Sequence, residues 1–219
     1  MAESSRDRIL AEALRLFGEQ GYAGTSIAQI EKAAGLSPGS GALYRHFKSK
    51  DELLVEALKA RVLDRGQFEQ FLSPDFSVLA MLDLVAPDTD LVDRLVVLCR
   101  IGLQRLDHDR DVTRILLRDN TAPQDALEVA RRDEHMVVLS VLSKGLAELA
   151  GPERADEDWD ALAVVLQAAL AHYWLVSDVF GGEHPSTIDS DRYLRAIAEM
   201  LAARLKVPAP VGNSVAVSS

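Results

Sequence analysis

The sequence predicts an all-α protein, and three observations carry that prediction. Apolar residues recur at spacings of three and four in segment after segment, the repeat of a helix with one buried face. Start signals (Ser or Asp before the first apolar position) and stop signals (Gly or Pro after the last) bracket those segments. No stretch of strand length alternates apolar and polar residues, and no internal repeat or low-complexity tract breaks the pattern. The expected architecture is an N-terminal three-helix head of helix-turn-helix form, joined by a connector helix to a C-terminal helical bundle that forms a homodimer.

The first helix starts at Ser4 or Ser5 and runs to about Gln20, with Ile9, Leu10, Ala13, Leu14 and Phe17 as its buried stripe. Gly21 ends it. Thr25 and Ser26 are both good N-caps, and Ser26 with Gln29 makes a capping box for a short helix whose apolar face is Ile27, Ile30 and Ala34. Gly35 sits where that helix must stop, because glycine accepts positive φ without steric cost. Ser37-Pro38 reads as a restart, with serine as cap and proline at the first helical position. Ser49 and Glu52 cap the connector, about 49–66, which carries Leu53, Leu54, Ala57, Leu58 and Val62. Helix, tight glycine turn, helix is the arrangement whose second helix enters the DNA major groove.

Beyond the connector, helices are expected at Pro74 to Ala86, Asp90 to Asp107, Val112 to Arg118 and Pro123 to Ala150, where Gly151-Pro152 forces a stop. Asp156 to Val179 opens with acidic residues, which suit a helix N-terminus, and then turns apolar on nearly all sides. Ser186 to Lys206 is amphipathic. A helix apolar all round needs cover all round, and a second copy of the chain, pairing its last two helices by two-fold symmetry, is the simplest cover. The division expected is 1–50 for the head, 67–206 for a ligand-binding and dimerisation body, and 207–219 for a loose tail.

The formal net charge is −10 over 219 residues, which taken whole argues against a nucleic-acid partner. Its distribution argues the other way. Residues 1–50 hold seven Lys/Arg against five Asp/Glu, a surplus of two positive charges, so the rest of the chain carries −12. A basic head on an acidic body is drawn to phosphates by one end only. Cys99 is the single cysteine, so no intrachain disulfide forms, and a reducing cytoplasm is the expected compartment. No apolar leader and no bilayer-length apolar run are read, so no membrane partner is expected.

The run Ala34-Gly35-Leu36-Ser37, then Leu43-Tyr44-Arg45-His46-Phe47, then Lys48-Ser49-Lys50-Asp51-Glu52-Leu53 resembles the DNA-binding domain of the TetR family of transcriptional regulators. The family usually places about five residues between the turn glycine and the Leu-Tyr pair; this chain has seven, Leu36 to Ala42. The resemblance implies a repressor that binds double-stranded operator DNA as a homodimer and is released by a small-molecule effector, expected to be apolar. It also implies that Thr25, Tyr44, His46 and Lys50 hold the DNA backbone. Ser26, Arg45 and Lys48 border the same surface, and Ser37, Pro38, Gly39, Ser40, Gly41 and Ala42 fill the recognition stretch. Residues 36–44 contain no Arg, Lys, Asn or Gln, the strongest readers of base edges. Ser37, Ser40, backbone groups and the Ala42 methyl are therefore expected to do the reading, with Arg45 beside them.

Larger or polar groups on otherwise apolar helices mark a candidate effector pocket: Phe76, Met81, Cys99, Leu103, Met136, Leu139, Gln167, His172 and Trp174. No cofactor or metal is expected. Glu134-His135 lacks the second histidine of a helical zinc site, and no nucleophile elbow, phosphate loop or paired-cysteine motif is present, so no enzyme is expected. The alternative to a regulator is a helical small-molecule binding or protein-interaction module that has lost DNA binding. The two extra residues and the weak base-reading set leave that alternative open.

Overall fold

The computed structural model describes residues 4–63, 66–73, 75–154 and 156–206. The expected tail, 207–219, and Pro74, the expected start of a helix, lie outside them. Ten α-helices form the described chain, and no strand occurs among the described residues. They are α1 (Ser5–Gln20), α2 (Ile27–Ala33), α3 (Lys50–Leu63), α4 (Val78–Val85), α5 (Leu91–His108), α6 (Arg110–Arg118), α7 (Gln124–Ala130), α8 (Met136–Ala150), α9 (Trp159–Val179) and α10 (Ser190–Lys206). Short 3-10 turns at Leu43–Arg45, Gly66–Leu72 and Pro152–Arg154 fill gaps between them. The single helix expected from 123 to 150 is two, joined by one π turn at Arg131–His135.

By contact the chain divides into two compact units that are each discontinuous in sequence: 1–73 with 104–138, and 74–103 with 139–219. The grouping differs from the sequence division at 50 and 67. Residues 104–138, read there as body, cluster with the head.

In the first unit α1 is central. Ile9, Ala13 and Phe17 are fully buried on it, together with Ile30 of α2 and Leu53, Leu54 and Leu58 of α3. Val112 and Ile115 of α6 and Ala126 and Val129 of α7 belong to the same cluster. The head thus has more apolar cover than three short helices supply, which answers why one- and two-turn helices hold at all. α6 lies so close to α1 that a Cβ at Gly18 would meet the Asp111 backbone at 2.8 Å. The loop after α6 also reaches the turn before α2. The Tyr22 N–H donates to the Asp119 carboxylate, and the Ala23 N–H donates to Thr121 Oγ1 at 3.1 Å.

In the second unit α4 and α8 pack tightly at Gly145, where a Cβ would lie 2.3 Å from Val78 Cγ2. α5 and α9 touch in the same way at Gly102 and Leu170. Arg154 closes the far end of α10. Its guanidinium donates to the carbonyls of Leu205 and Arg204, two of the acceptors a helix C-terminus leaves unpaired, and stacks on Trp159 at 5.1 Å. Glu157 completes the lock, with its Oε1 2.5 Å from Arg154 and its Oε2 2.5 Å from Arg204.

The Arg154 hydrogen bond is the main reason the Glu157 carboxyl falls from its ordinary 4.5 to about 2, with Arg204 adding to it. A depressed carboxyl stabilises the fold above its unfolded value and loses that contribution as pH falls toward the folded one. Glu157→Gln is therefore expected to lose less melting temperature than the parent between pH 5 and pH 3, as followed by circular dichroism.

α9 is long and apolar enough, by length and average composition, to cross a bilayer, although Gln167 and His172 interrupt its apolar run. One of its faces packs inside the unit through Trp159, Ala163, Leu166, Leu170, Tyr173 and Trp174. It is a core helix with an uncovered side. The Tyr173 hydroxyl donates to the Ile188 carbonyl at 3.0 Å, which ties it to the chain leading into α10.

Candidate nucleic-acid interface

The outer surface of the head is built from α2 outward. Ser26 caps α2 as expected. Its Oγ accepts from the Gln29 N–H at 3.3 Å, and Gln29 Oε1 accepts from the Ser26 N–H at 2.7 Å. At the other end Gly35 has φ +75°. The Leu36 N–H reaches the Glu31 carbonyl at 2.8 Å and the Gly35 N–H reaches that of Lys32 at 3.1 Å, which is a Schellman close.

Past Gly35 the chain is not helical. Ser37-Pro38 does not restart a helix: residues 37–40 form a turn in which the Ser40 N–H donates to the Ser37 carbonyl at 3.2 Å. Proline second and glycine third, with φ +73° at Gly39, is the type II pattern. Gly41 comes next with φ +71°, so no regular helix can pass through either position. Helical backbone resumes only at the 3-10 turn Leu43–Arg45, and Leu43 and Phe47 anchor it by burial in the head's core. Two left-handed glycines outweigh the local serine-proline signal, since that signal fixes only the start of a segment.

A carboxylate holds this stretch in place. Glu31 is fully buried; its Oε2 accepts from the Gly39 N–H at 2.7 Å and its Oε1 from the Leu43 N–H at 3.2 Å. Further backbone donors of the stretch are also engaged, Ala42 on Ser40 Oγ, Tyr44 on the Gly41 carbonyl and Arg45 on the Ala42 carbonyl. These N–H groups are engaged inside the loop.

Most of those side chains are at the surface. Ser26, Ser37, Pro38, Gly39, Ser40, Tyr44, Arg45, His46 and Lys48 are exposed or nearly so, and Gly41 and Ala42 are half-buried. Tyr44 is 57% exposed, unusual for a large ring with an apolar core nearby. From 37 to 48 they form one run of surface chain pinned by the buried Leu43 and Phe47.

Two expected phosphate contacts fall elsewhere. Thr25 is buried, and its hydroxyl lies 3.0 Å from the Leu16 carbonyl and 2.8 Å from that of Gly21, so it closes the end of α1 and does not cap α2. The Lys50 ammonium turns inward, donating to the Tyr22 carbonyl and lying 4.1 Å from the centre of the Tyr22 ring. Burial lowers its pKa, opposed by the Asp119 charge. Position in the motif fixes where the Cα lies but not where the side chain turns.

The residues expected to line an effector pocket are scattered more widely. Phe76, Met81, Cys99, Leu103, Leu139, Gln167, His172 and Trp174 fall in the second unit, and Met136 falls in the first. Met136 and His172 are exposed, while Cys99 and Trp174 are buried. Burial drives the Cys99 thiol up to about 12, so it is an inert apolar filler. By helical spacing Cys99 shares a stripe with Gly102 and Leu103, and Gln167 and Trp174 share one with Leu170. The first unit has a cavity of about 370 Å³, lined by Leu10, Leu14, Ala57, Arg61, His108, Asp109 and neighbours, none of them expected.

Known proteins share the sequence of this head and the overall fold. Residues 9–57 match the family model described as bacterial regulatory proteins, tetR family. Over 68 residues the chain is 43% identical to the transcriptional regulator AcrR of Shigella flexneri, a match spanning 31% of each chain, about a third of that protein's length. Over 120 residues it is 31% identical to TtgW, an uncharacterised regulator of Pseudomonas putida, covering 51% of this chain and 86% of that one. The fold is shared with AibR, solved in complex with isovaleryl coenzyme A and operator DNA, at a TM-score of 0.59 and 19% identity, covering 90% of this chain and 97% of that one. The chain belongs to the tetR family of bacterial regulatory proteins.

Proposed function

We propose that the protein is a cytoplasmic repressor that binds operator DNA as a homodimer and leaves it when an apolar small molecule enters the second unit. The observation that carries the reading is the surface row Ser37, Ser40, Tyr44, Arg45, His46 and Lys48 on a fully packed head. Packing holds the row at fixed spacing; its cations and hydroxyls suit phosphates and base edges.

Dimerisation is supported by what α9 and α10 leave open. Ala161, Val164, Val165, Ala168 and His172 of α9 lie on one side of the helix by spacing, and Val164, Val165 and His172 are exposed. Met200 of α10 is 72% exposed, between the exposed Ala196 and Ala203. A second copy of the same surface is a self-complementary cover for small and apolar side chains. Two heads held this way address major-groove faces about 34–36 Å apart, or a multiple of that spacing.

For the effector, Cys99, Leu103, Gln167 and Trp174, on the stripes where α5 meets α9, with Phe76, Met81 and Leu139, are the residues proposed to line the pocket. AibR was captured with both an acyl thioester and DNA, which supports an apolar acyl-like ligand class. An effector lowers operator affinity only by its differential affinity for the two head spacings.

The test is titration of the purified protein onto duplex DNA from upstream of its own gene, followed by a compound screen for release. Ser40→Ala is expected to reduce the preference for operator over random duplex. Lys48→Ala, at an exposed cation, is expected to weaken both alike and to lower the salt slope by about one. Equal losses on both duplexes for Ser40→Ala would show that this hydroxyl reads no base.

A further inference from the structure

We propose that Glu31 is the positioning residue for sequence recognition: its buried carboxylate clamps the base-reading loop, residues 37–42, in the shape that meets the major groove. The proposal rests on the reading of this head as a DNA-binding one.

The geometry is specific. In a recognition helix each N–H beyond the first turn finds the carbonyl four residues back. Here Gly39 and Leu43 sit at the two ends of a non-helical stretch, and their N–H groups find Glu31 instead, one on each carboxylate oxygen, at 2.7 and 3.2 Å. A carboxylate with no exposed surface is costly to bury, and hydrogen bonds to both oxygens are what offset that cost.

Length explains the need. Seven residues, Leu36 to Ala42, lie between the turn glycine and the Leu-Tyr pair, where the family usually has about five. Two of the seven are glycines at positive φ, which leave an unclamped loop with many conformations. Glu31 restricts it before DNA arrives, so the ordering cost is not charged to binding. The carboxylate cannot itself attract DNA, being negative and buried. Its effect must appear in discrimination between sequences and not in attraction to phosphate.

The experiment uses the full chain with Glu31→Gln and Glu31→Ala. Gln retains one acceptor oxygen and places an NH₂ where the other stood, so it keeps one of the two bonds; Ala keeps neither. A duplex enriched from a random library by the parent protein, and a scrambled duplex of equal composition, serve as probes. Glu31→Ala is expected to lower the preference for the enriched duplex by about tenfold or more, with Glu31→Gln between it and the parent. Binding to the scrambled duplex should stay within about twofold, since no phosphate contact is touched. Hydrogen exchange at the Gly39 and Leu43 amides should quicken in both variants, while that of α1 and α3 stays unchanged. This comparison separates a loosened loop from a head that fails to fold. Unchanged exchange at those two amides, or an intact preference, overturns the clamp alone. A parent protein that enriches no duplex overturns the DNA reading and the clamp's role in it together.

Discussion

Val165→Glu is expected to give a folded monomer that no longer holds its operator. Val165 is 59% exposed and Val164 50% exposed in the middle of α9, so neither supports its own unit's core. A glutamate there costs the isolated chain almost nothing. In a two-fold pairing of this face it would bring a carboxylate, and its symmetry mate, into an apolar contact. Each unpaired buried charge costs several kcal/mol. A loss of about 4 kcal/mol raises the dimer dissociation constant roughly a thousandfold. Losing the second head also removes avidity, which is worth on the order of 10²–10⁴ in apparent affinity. Sedimentation velocity at micromolar concentration should show a monomer with unaltered helicity, and anisotropy should show operator binding reduced to half-site level. A variant that stays dimeric and binds as before would mean that α9 faces something other than its copy.

Asp109→Ala is expected to cost the first unit about 3 kcal/mol or more, the range for stripping the partner from a buried ion pair. Asp109, at the corner between α5 and α6, is buried and bridges two cations. Arg61 of α3 lies 2.9 Å from Oδ1, and Arg105 of α5 pairs with Oδ2. The Arg105 guanidinium also sits 5.4 Å from the centre of the Phe68 ring, and the Arg61 guanidinium donates to the His108 carbonyl at 2.9 Å. Those contacts hold both arginines in place after the carboxylate is gone, so the two positive charges would lose the anion they share. Urea unfolding measures the loss. The double variant Asp109→Ala with Arg105→Ala should recover part of it, because the second change removes one of the two cations that faced the carboxylate. A change below about 1 kcal/mol for Asp109→Ala would mean that water reaches both arginines and that the pair behaves as a surface one.

Much of the head is legible without coordinates because its signals are short in range. Ser26 and Gln29 satisfy each other across three residues, and Gly35 reverses the chain by its own φ. The stripes of α1 and α3 come from spacing along one helix. The same locality accounts for the errors. Ser37-Pro38 is a good helix start read alone, yet Gly39 and Gly41 decide the backbone beyond it. Thr25 is a good cap read alone, yet the carbonyls at the end of α1 claim its hydroxyl. Glu31 gave one faint signal, a carboxylate beside Ile30 on a helix too short to hide it. Its partners lie eight and twelve residues on, in a stretch with no periodicity to predict their approach.

By itself the sequence determined that the chain is helical, where most of its helices start and stop, that its N-terminal end is built to meet DNA, and that α9 has more apolar surface than one bundle can use. The DNA reading comes from the tetR-like motif and the charge distribution, and the others from spacing and caps, which act within a turn or two of chain. Only the tertiary structure decided that α6 and α7 complete the head's core, that Lys50 points inward, and that a buried glutamate holds the loop after α2. Each of those depends on groups brought together from distant parts of the chain, and in that setting burial and hydrogen-bond satisfaction, not local propensity, select the conformation.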